Sequence, residues 1–338
     1  MSMEYEFDQI SNITDVLLKH DLQNKHFVIT GASGLIGKAC NAYLKYLNEK
    51  HKLNITVTLI TTSQQKLCDP CYRSWDNFPE EFDFLIHAGA PTSSFLFKEQ
   101  PIEVFSDIVS KTTVCLEQQK KNPRSRGIFL STLEIYGQSH NENLLEEDLG
   151  FIDIDNPRSS YPLGKRASEF LVKSYAKEFG TNASIARLTQ TFGTGVRWED
   201  PRVFAYFGRC CLMNEDIVLA TPGKLKRAYL DVLDAVSGIF FILLNGEQGE
   251  SYNVSNDSNY YSVVELAGFF ITQNKRCQIK FNYDSEIAAN FAPQIGTNLD
   301  ISKLKCLGWL PNVNLDKTIE ALLNSMQSTR GDKNDRRQ

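Results

Sequence analysis

Three groups of residues in this chain have types and spacings that can do chemistry. Gly31-Ala32-Ser33-Gly34-Leu35-Ile36-Gly37 places three glycines at three-residue intervals, directly after the apolar run HFVIT (26–30). Glycines so spaced allow a tight turn and let the backbone approach a pyrophosphate, and a helix opening there turns its positive end toward the negative charge. Tyr161 and Lys165 stand four residues apart, which on a helix is one face and about 6 Å along the axis. A lysine so placed favours the tyrosinate and lowers a phenol that ordinarily titrates near pH ~10. Such a tyrosine can exchange a proton with a hydroxyl while hydride moves from the same carbon to a nicotinamide. The third group is Ser131-Thr132-Leu133-Glu134, at the end of the apolar run GIFLST (127–132). A Thr132 hydroxyl there can share the proton with Tyr161. Glu134 either adds a carboxylate to the same place or is a solvated loop acid. Tyr46 and Lys50 repeat the four-residue spacing, and that copy reads as surface packing.

These groups are positioned by alternating elements. The runs 26–30, 55–60, 82–89, 127–132 and 183–188 predict strands. The segments 35–48, 101–121 and 161–179 predict helices, the second opened by Pro101 and the third stopped by Gly180. Such alternation implies an α/β fold, a parallel sheet with helices on both faces, and ligands of such sheets sit at the carboxyl ends of the strands. Ahead of it, Phe7, Ile10, Ile13, Val16 and Leu17 predict an amphipathic helix over 7–20. The rhythm breaks over 193–228, and the last third mixes short strands with helical stretches such as 262–271. The expected organisation is an N-terminal helical extension (1–23), a dinucleotide-binding domain (24–192), a smaller lobe (193–327) with some segments returning to the first domain, and a polar, disordered tail (328–338).

Composition narrows the class. With 338 residues, 42% apolar, 23% charged and a formal net charge of −5, the chain is of ordinary globular make-up. Mild acidity argues against a nucleic-acid-binding surface, and no apolar run approaches the roughly 18–20 residues of a membrane span. The acidic start, MSMEYEFDQI, lacks the apolar core of a secretion signal. Eight scattered cysteines predict a reducing, cytoplasmic setting. Cys68 and Cys71 are spaced CxxC, but no second such pair completes a four-ligand metal site, so they read as loop thiols and no metal is expected.

Together, the glycine loop, the strand-end Ser-Thr-Leu-Glu-Ile-Tyr-Gly (131–137) and the Tyr161-x-x-x-Lys165 pair resemble the extended short-chain dehydrogenase/reductase family. These are the NAD-dependent epimerases and dehydratases of nucleotide sugars, and the likeness covers roughly residues 24–325. Leu85-Ile-His-Ala-Gly-Ala-Pro91 resembles the family's cofactor segment, Arg187-Leu-Thr-Gln190-Thr-Phe-Gly193 its RxxNxYG segment, and Arg227-Ala-Tyr-Leu-Asp231 the segment whose arginine contacts substrate phosphate. Asn156-Pro-Arg-Ser-Ser-Tyr161 is similar to UDP-glucuronate decarboxylases and dTDP-glucose 4,6-dehydratases. The resemblance implies a Rossmann-type doubly wound sheet with a smaller C-terminal substrate lobe. It also implies a nucleotide-activated sugar as substrate and a homodimer built on helices 101–121 and 161–179.

By position, the resemblance makes Thr132, Glu134, Tyr161 and Lys165 catalytic, with Lys165 also holding the nicotinamide ribose. Gly31, Ser33, Gly34, Leu35, Ile36, Gly37, Thr62, Ser63, His87, Ala88, Ala90 and Ser131 would bind the cofactor together with Tyr161 and Lys165. Thr132, Gln190 and Arg227 would bind substrate. The second strand ends Thr61-Thr62-Ser63, without the acid that usually reads the ribose. NAD is the expected cofactor and NADP remains open.

One departure bears on the reaction. A 4,6-dehydratase has an aspartate before the glutamate, and a decarboxylase has a small hydroxyl residue; here Leu133 can do neither job. Leu133 favours epimerisation or ketosugar reduction, whereas Glu134 favours a second step after hydride transfer. The expected activity is hydride transfer at a sugar carbon, C4 foremost, leading to epimerisation, dehydration or decarboxylation. A ketosugar reductase or dehydrogenase is the alternative within the class. A non-catalytic dinucleotide sensor is the alternative outside it, and the joint retention of Thr132, Tyr161 and Lys165 counts against it.

Overall fold

The computed structural model describes residues 3–64, 66–139, 141–283 and 296–335. Strands β1 (His26–Thr30), β2 (Thr56–Ile60), β3 (Tyr72–Arg73), β4 (Phe84–His87) and β5 (Arg126–Thr132) alternate with helices α1 (Ser11–Leu17), α2 (Leu35–His51), α3 (Ser94–Glu99), α4 (Pro101–Lys121) and α5 (Ser160–Phe179). The chain continues through β6 (Asn143–Leu144), β7 (Ala183–Leu188), β8 (Gln190–Phe192), α6 (Val203–Met213), β9 (Ile217–Leu219), β10 (Lys226–Asp231), α7 (Val232–Asn245), β11 (Ser251–Val254), β12 (Tyr260–Ser262) and α8 (Val263–Gln273). Helices Ser302–Leu307 and Leu315–Asp335 follow.

The main sheet has seven strands in the order β11-β7-β5-β4-β1-β2-β3. Every neighbouring pair in it is parallel. Both faces are covered, so its strands read as near-continuous apolar runs. Within β1, Phe27 and Ile29 join the core under α2 and α7, while Val28 joins the core under α4 and α5. The strand order reverses between β1 and β4, and a doubly wound sheet opens a crevice at the carboxyl ends of the strands at such a point. The parallel α/β sheet is therefore the one the alternation implied, and its Rossmann-type winding the one the resemblance implied.

A second core packs Phe192, Phe204, Phe207 and Phe270 with Ile319, Leu322 and Met326 of the C-terminal helix. Here α8 opens on a reciprocal cap: Ser262 accepts the Glu265 backbone N–H and the Glu265 carboxylate accepts that of Ser262. From the same third of the chain, β11 pairs with β7 in the main sheet.

Three expectations need correcting. The 7–20 segment is a 3₁₀ turn (Met3–Ile10) followed by a short α-helix, rather than one helix. It buries Phe7 against Tyr43 and Tyr46 of α2, and the Thr14 hydroxyl meets that of Tyr43 at 2.8 Å, so tertiary packing on α2 sets its geometry. The 82–89 strand is shorter, Phe84–His87, because the chain leaves the ladder toward Gly89 and Pro91. The polar tail continues the last helix as far as Asp335 instead of being disordered. Ile319, Leu322 and Met326 anchor that helix, and propagation from an anchored turn costs far less than nucleation. Residues 336–338 lie outside the described residues.

Candidate active site

A cleft of about 1030 Å³ runs along the carboxyl ends of β1, β2, β4 and β5. At its floor Gly31 has φ +66°, and a Cβ there would fall 2.4 Å from the Ala88 carbonyl oxygen. A Cβ on Gly37 would fall 2.5 Å from the Gly31 carbonyl oxygen. Only glycine lets the loop pass so close to its neighbours. Gly34 caps α2 without any side-chain hydrogen bond, which leaves the first-turn N–H groups of the helix for a ligand in the cleft. The Ser131 hydroxyl, buried at the floor, has no hydrogen-bond partner. A pyrophosphate-bearing dinucleotide fits this cradle on both counts: an uncapped helix end for the anion and an unsatisfied hydroxyl beneath it.

Across the cleft, α5 delivers the reactive group. Tyr161 lies in its first turn, with its phenol near the Thr132 hydroxyl at the end of β5, and both residues line the cleft. Thr132 also accepts the Glu134 backbone N–H at 3.3 Å, which holds the hydroxyl in place. Phe97 of α3 stacks on the tyrosine ring, centroids 4.4 Å apart. The Ser160 hydroxyl donates to the Phe97 carbonyl at 3.0 Å and ties the two helices together. Burial, and then the Glu134 carboxylate, push the Tyr161 phenol well above its ordinary range. Lys165 is buried one turn on, and its ammonium donates to the Leu130 carbonyl at 2.7 Å. Burial brings its pKa down to about 8. Burial therefore moves the Tyr161 phenol upward, opposite to the shift expected from Lys165.

Glu134 lines the same wall in a two-toothed ion pair with Arg158, at 2.8 and 3.2 Å. Gln190 of β8 faces them, beside Arg202, which is clamped by Asp200 at 2.7 Å.

The matching family model is described as the NAD dependent epimerase/dehydratase family and covers residues 27–255. The chain belongs to that family. It is an enzyme of this family, with a cradle for a nicotinamide dinucleotide. UDP-glucuronic acid decarboxylase 6 of Arabidopsis thaliana is 28% identical over 308 residues, spanning 86% of each chain. In solved structures, UDP-glucose 4-epimerase from Thermotoga maritima, crystallised with UDP-glucose, superposes at TM-score 0.75 and 18% identity over 90% of this chain and 99% of that one. The dTDP-glucose 4,6-dehydratase from Bacillus anthracis, in complex with NAD, superposes at 0.71 and 19% identity over 91% and 98%.

The epimerase/dehydratase cleft gathers most of the residues singled out by sequence. Gly31, Ser33, Gly34, Leu35, Ile36, Gly37, Thr62, Ala88, Ala90, Ser131, Thr132, Glu134, Tyr161, Lys165 and Gln190 all line it. Three do not. The His87 side chain is buried behind the floor against Thr30 and Thr112, at 2.7 and 3.3 Å, and burial holds it neutral with a pKa of about 3. Ser63 turns away at the end of β2, its N–H donating to the Thr61 hydroxyl at 3.1 Å. Arg227 lies on β10, where its guanidinium donates to the Lys226 carbonyl at 3.1 Å, away from the cleft wall. Burial holds Arg227 below its usual range, and it feels the charges of Glu134 and Arg158.

Sequence reasoning missed Phe97, Arg158, Arg197 and Arg202 as cleft residues. Arg158 carried a signal, three residues before Tyr161. Arg197 and Arg202 lie in the 193–228 break, where no periodicity marks which side chain turns inward. The Tyr46–Lys50 copy sits outside the cleft, with both groups bound to Asp8 at 2.7 Å. All eight cysteines are free, and the described residues hold no cluster of three or more metal-ligating side chains.

Proposed function

We propose that this enzyme acts on a nucleotide-activated sugar and transfers hydride at a sugar carbon, C4 foremost, with Tyr161 as the acid/base. The placing of Thr132, Tyr161 and Lys165 together in the wall opposite the glycine cradle supports this reading. The dinucleotide, when bound, supplies the hydride acceptor and donor. Once ionised, Tyr161 takes the hydroxyl proton as the alcohol becomes a ketone, and it returns that proton when the ketone is reduced. Thr132 orients the reacting oxygen. Gln190 and Arg202 stand where a diphosphate can be held.

Leu133 belongs to a small apolar cluster with Ile135, Tyr136, Leu144 and Leu299, so no acid stands beside Glu134 to protonate a leaving hydroxyl. This supports epimerisation over 4,6-dehydration, and it also leaves decarboxylation without the small hydroxyl residue that would hold the carboxylate. A ketosugar reductase is the second reading; Leu133 favours it equally, because simple carbonyl reduction needs no further acid.

The chain is proposed to act as a homodimer in a reducing, cytoplasmic setting. The packed pair α4 and α5 leaves Ile102, Val114 and Phe170 exposed, an apolar surface suited to a second copy, and eight free thiols suit the compartment. Among the described residues no helix is long and apolar enough to cross a membrane. The deciding experiment is to incubate the purified enzyme with UDP-sugars and dTDP-sugars and resolve the products by chromatography and mass. A product with unchanged mass means an epimer, loss of carbon dioxide a decarboxylation, and gain of two hydrogens a reduction. No turnover of any nucleotide sugar would reject the reading.

A further inference from the structure

One end of the cleft lies where the ribose of a bound dinucleotide would meet the carboxyl end of β2. Ile60, Thr61 and Thr62 line it, with Lys38 from the first turns of α2 and Arg197 from the loop after β8. In a doubly wound fold an acid after the second strand accepts the ribose 2′-hydroxyl, and a basic residue there accommodates a 2′-phosphate. This chain has no acid at that point. The nearest in sequence, Asp69, does not line the cleft, and its carboxylate accepts the Cys71 N–H at 2.9 Å.

Cations gather there instead. Arg197 donates to the Ser33 carbonyl at 3.3 Å, which sets its guanidinium beside the glycine loop. The turn after β2 brings Lys66 back toward the strand end, its N–H bonded to the Ser63 carbonyl at 3.0 Å. Partial burial, and then the charges of Arg197 and Lys66, hold Lys38 below its ordinary range, so both cations lie close enough to act on it. Of the acids lining the cleft, Asp107 pairs with Lys111, Glu134 with Arg158 and Asp200 with Arg202, and Glu199 sits on the Arg197 loop; outside the cleft, Asp69 feels the charge of Lys66. Mutually repelling cations beside a helix N-terminus gain most from a multiply charged anion.

We infer that the dinucleotide selected by this cleft carries a 2′-phosphate, making it NADP(H) rather than NAD(H), and that Lys38, Arg197 and the Thr62 hydroxyl receive that phosphate, with Lys66, over the Tyr72 ring, adding positive charge from beside the cleft. The inference rests on the dinucleotide reading of the cleft and names the specificity of that site.

The test is titration of the full-length protein with NADP⁺ and NAD⁺, and with 2′,5′-ADP and 5′-AMP as probes of the adenosine end alone. NADP⁺ is expected to bind at least about tenfold more tightly than NAD⁺. 2′,5′-ADP should outbind 5′-AMP likewise, with the difference shrinking as salt rises. Combining K38A with K66A should erase the preference while leaving NAD⁺ affinity within about threefold. Any dinucleotide released from the purified protein by denaturation should carry the additional phosphate by mass. Equal or tighter binding of NAD⁺ to the wild-type protein would overturn this inference and leave the dinucleotide reading standing. Binding of neither would overturn both.

Discussion

Phe97 lies flat on Tyr161, the ring planes 5° from parallel and the centroids 4.4 Å apart. One side of the tyrosine ring is thereby covered by a residue from α3, a helix that the sequence motifs do not touch. The stack holds the phenol toward Thr132 and keeps water from that face. Phe97→Leu keeps the bulk but not the plane. It should leave dinucleotide affinity unchanged and lower kcat by about tenfold or more through looser aim of the hydroxyl. Phe97→Ala should also lower stability by about 3 kcal/mol, because the ring is buried. Denaturant melts with parallel steady-state kinetics separate the two effects.

Tyr161→Phe removes the hydroxyl and keeps the stack on Phe97. Turnover should fall by about 10²–10⁴-fold, the usual span for a lost general acid/base. Dinucleotide affinity should change little, since the glycine loop and the α2 N-terminus carry most of that binding. Single-turnover kinetics beside a binding titration would test this, and retention of full turnover would remove Tyr161 from the reaction.

Lys165 gives the pH dependence. Burial lowers its pKa from 10.5 to about 8 in the folded chain. Between those values the unfolded chain binds the extra proton, so this residue makes stability rise with pH from about 8 to about 10.5, while below that window its buried charge costs stability in full. Activity runs the other way, because the ammonium is lost as pH rises through about 8. Lys165→Met should flatten this limb of the melting-temperature profile and melt no lower than the parent at neutral pH, yet be inactive. A variant that melts much lower at neutral pH would show that the bond to the Leu130 carbonyl outweighs the cost of the buried charge.

The Glu134–Arg158 pair reports on the second half of the reaction. Glu134→Gln breaks the two-toothed geometry while keeping shape. Hydride transfer should survive, visible as dinucleotide reduction in a single turnover. Multiple turnover should fall by about tenfold or more, with a keto-sugar accumulating, if Glu134 moves a proton after that transfer. Unchanged multiple turnover would assign the enzyme to C4 epimerisation or ketosugar reduction. Arg158→Lys, which cannot form the fork, should show part of the same loss.

The elements that carry the chemistry were legible in the sequence for identifiable reasons. The α4 and α5 boundaries follow from Pro101 and Gly180, residues whose backbone preferences act locally. Gly31 and Gly37 were legible because close backbone approach admits no other residue. His87 was misplaced because a histidine on a cofactor-bearing strand looks alike whether it faces the cleft or the floor behind it. Period-two alternation in a sheet buried on both faces does not tell the two apart. The fate of 328–335 was hidden because a polar segment takes its structure from the anchored helix before it.

What the sequence determined by itself was the alternation of strands and helices, the glycine cradle and the one-turn spacing of Tyr161 and Lys165, because each depends on residues near one another in the chain. Tertiary structure alone decided the rest. It set Phe97 against Tyr161, paired Arg158 with Glu134, turned Lys165 to the Leu130 carbonyl, and brought Arg197 to the glycine loop from 164 residues away. It also reversed the expected shift of the Tyr161 phenol, since burial is a property of the packed core and cannot be read from a four-residue spacing.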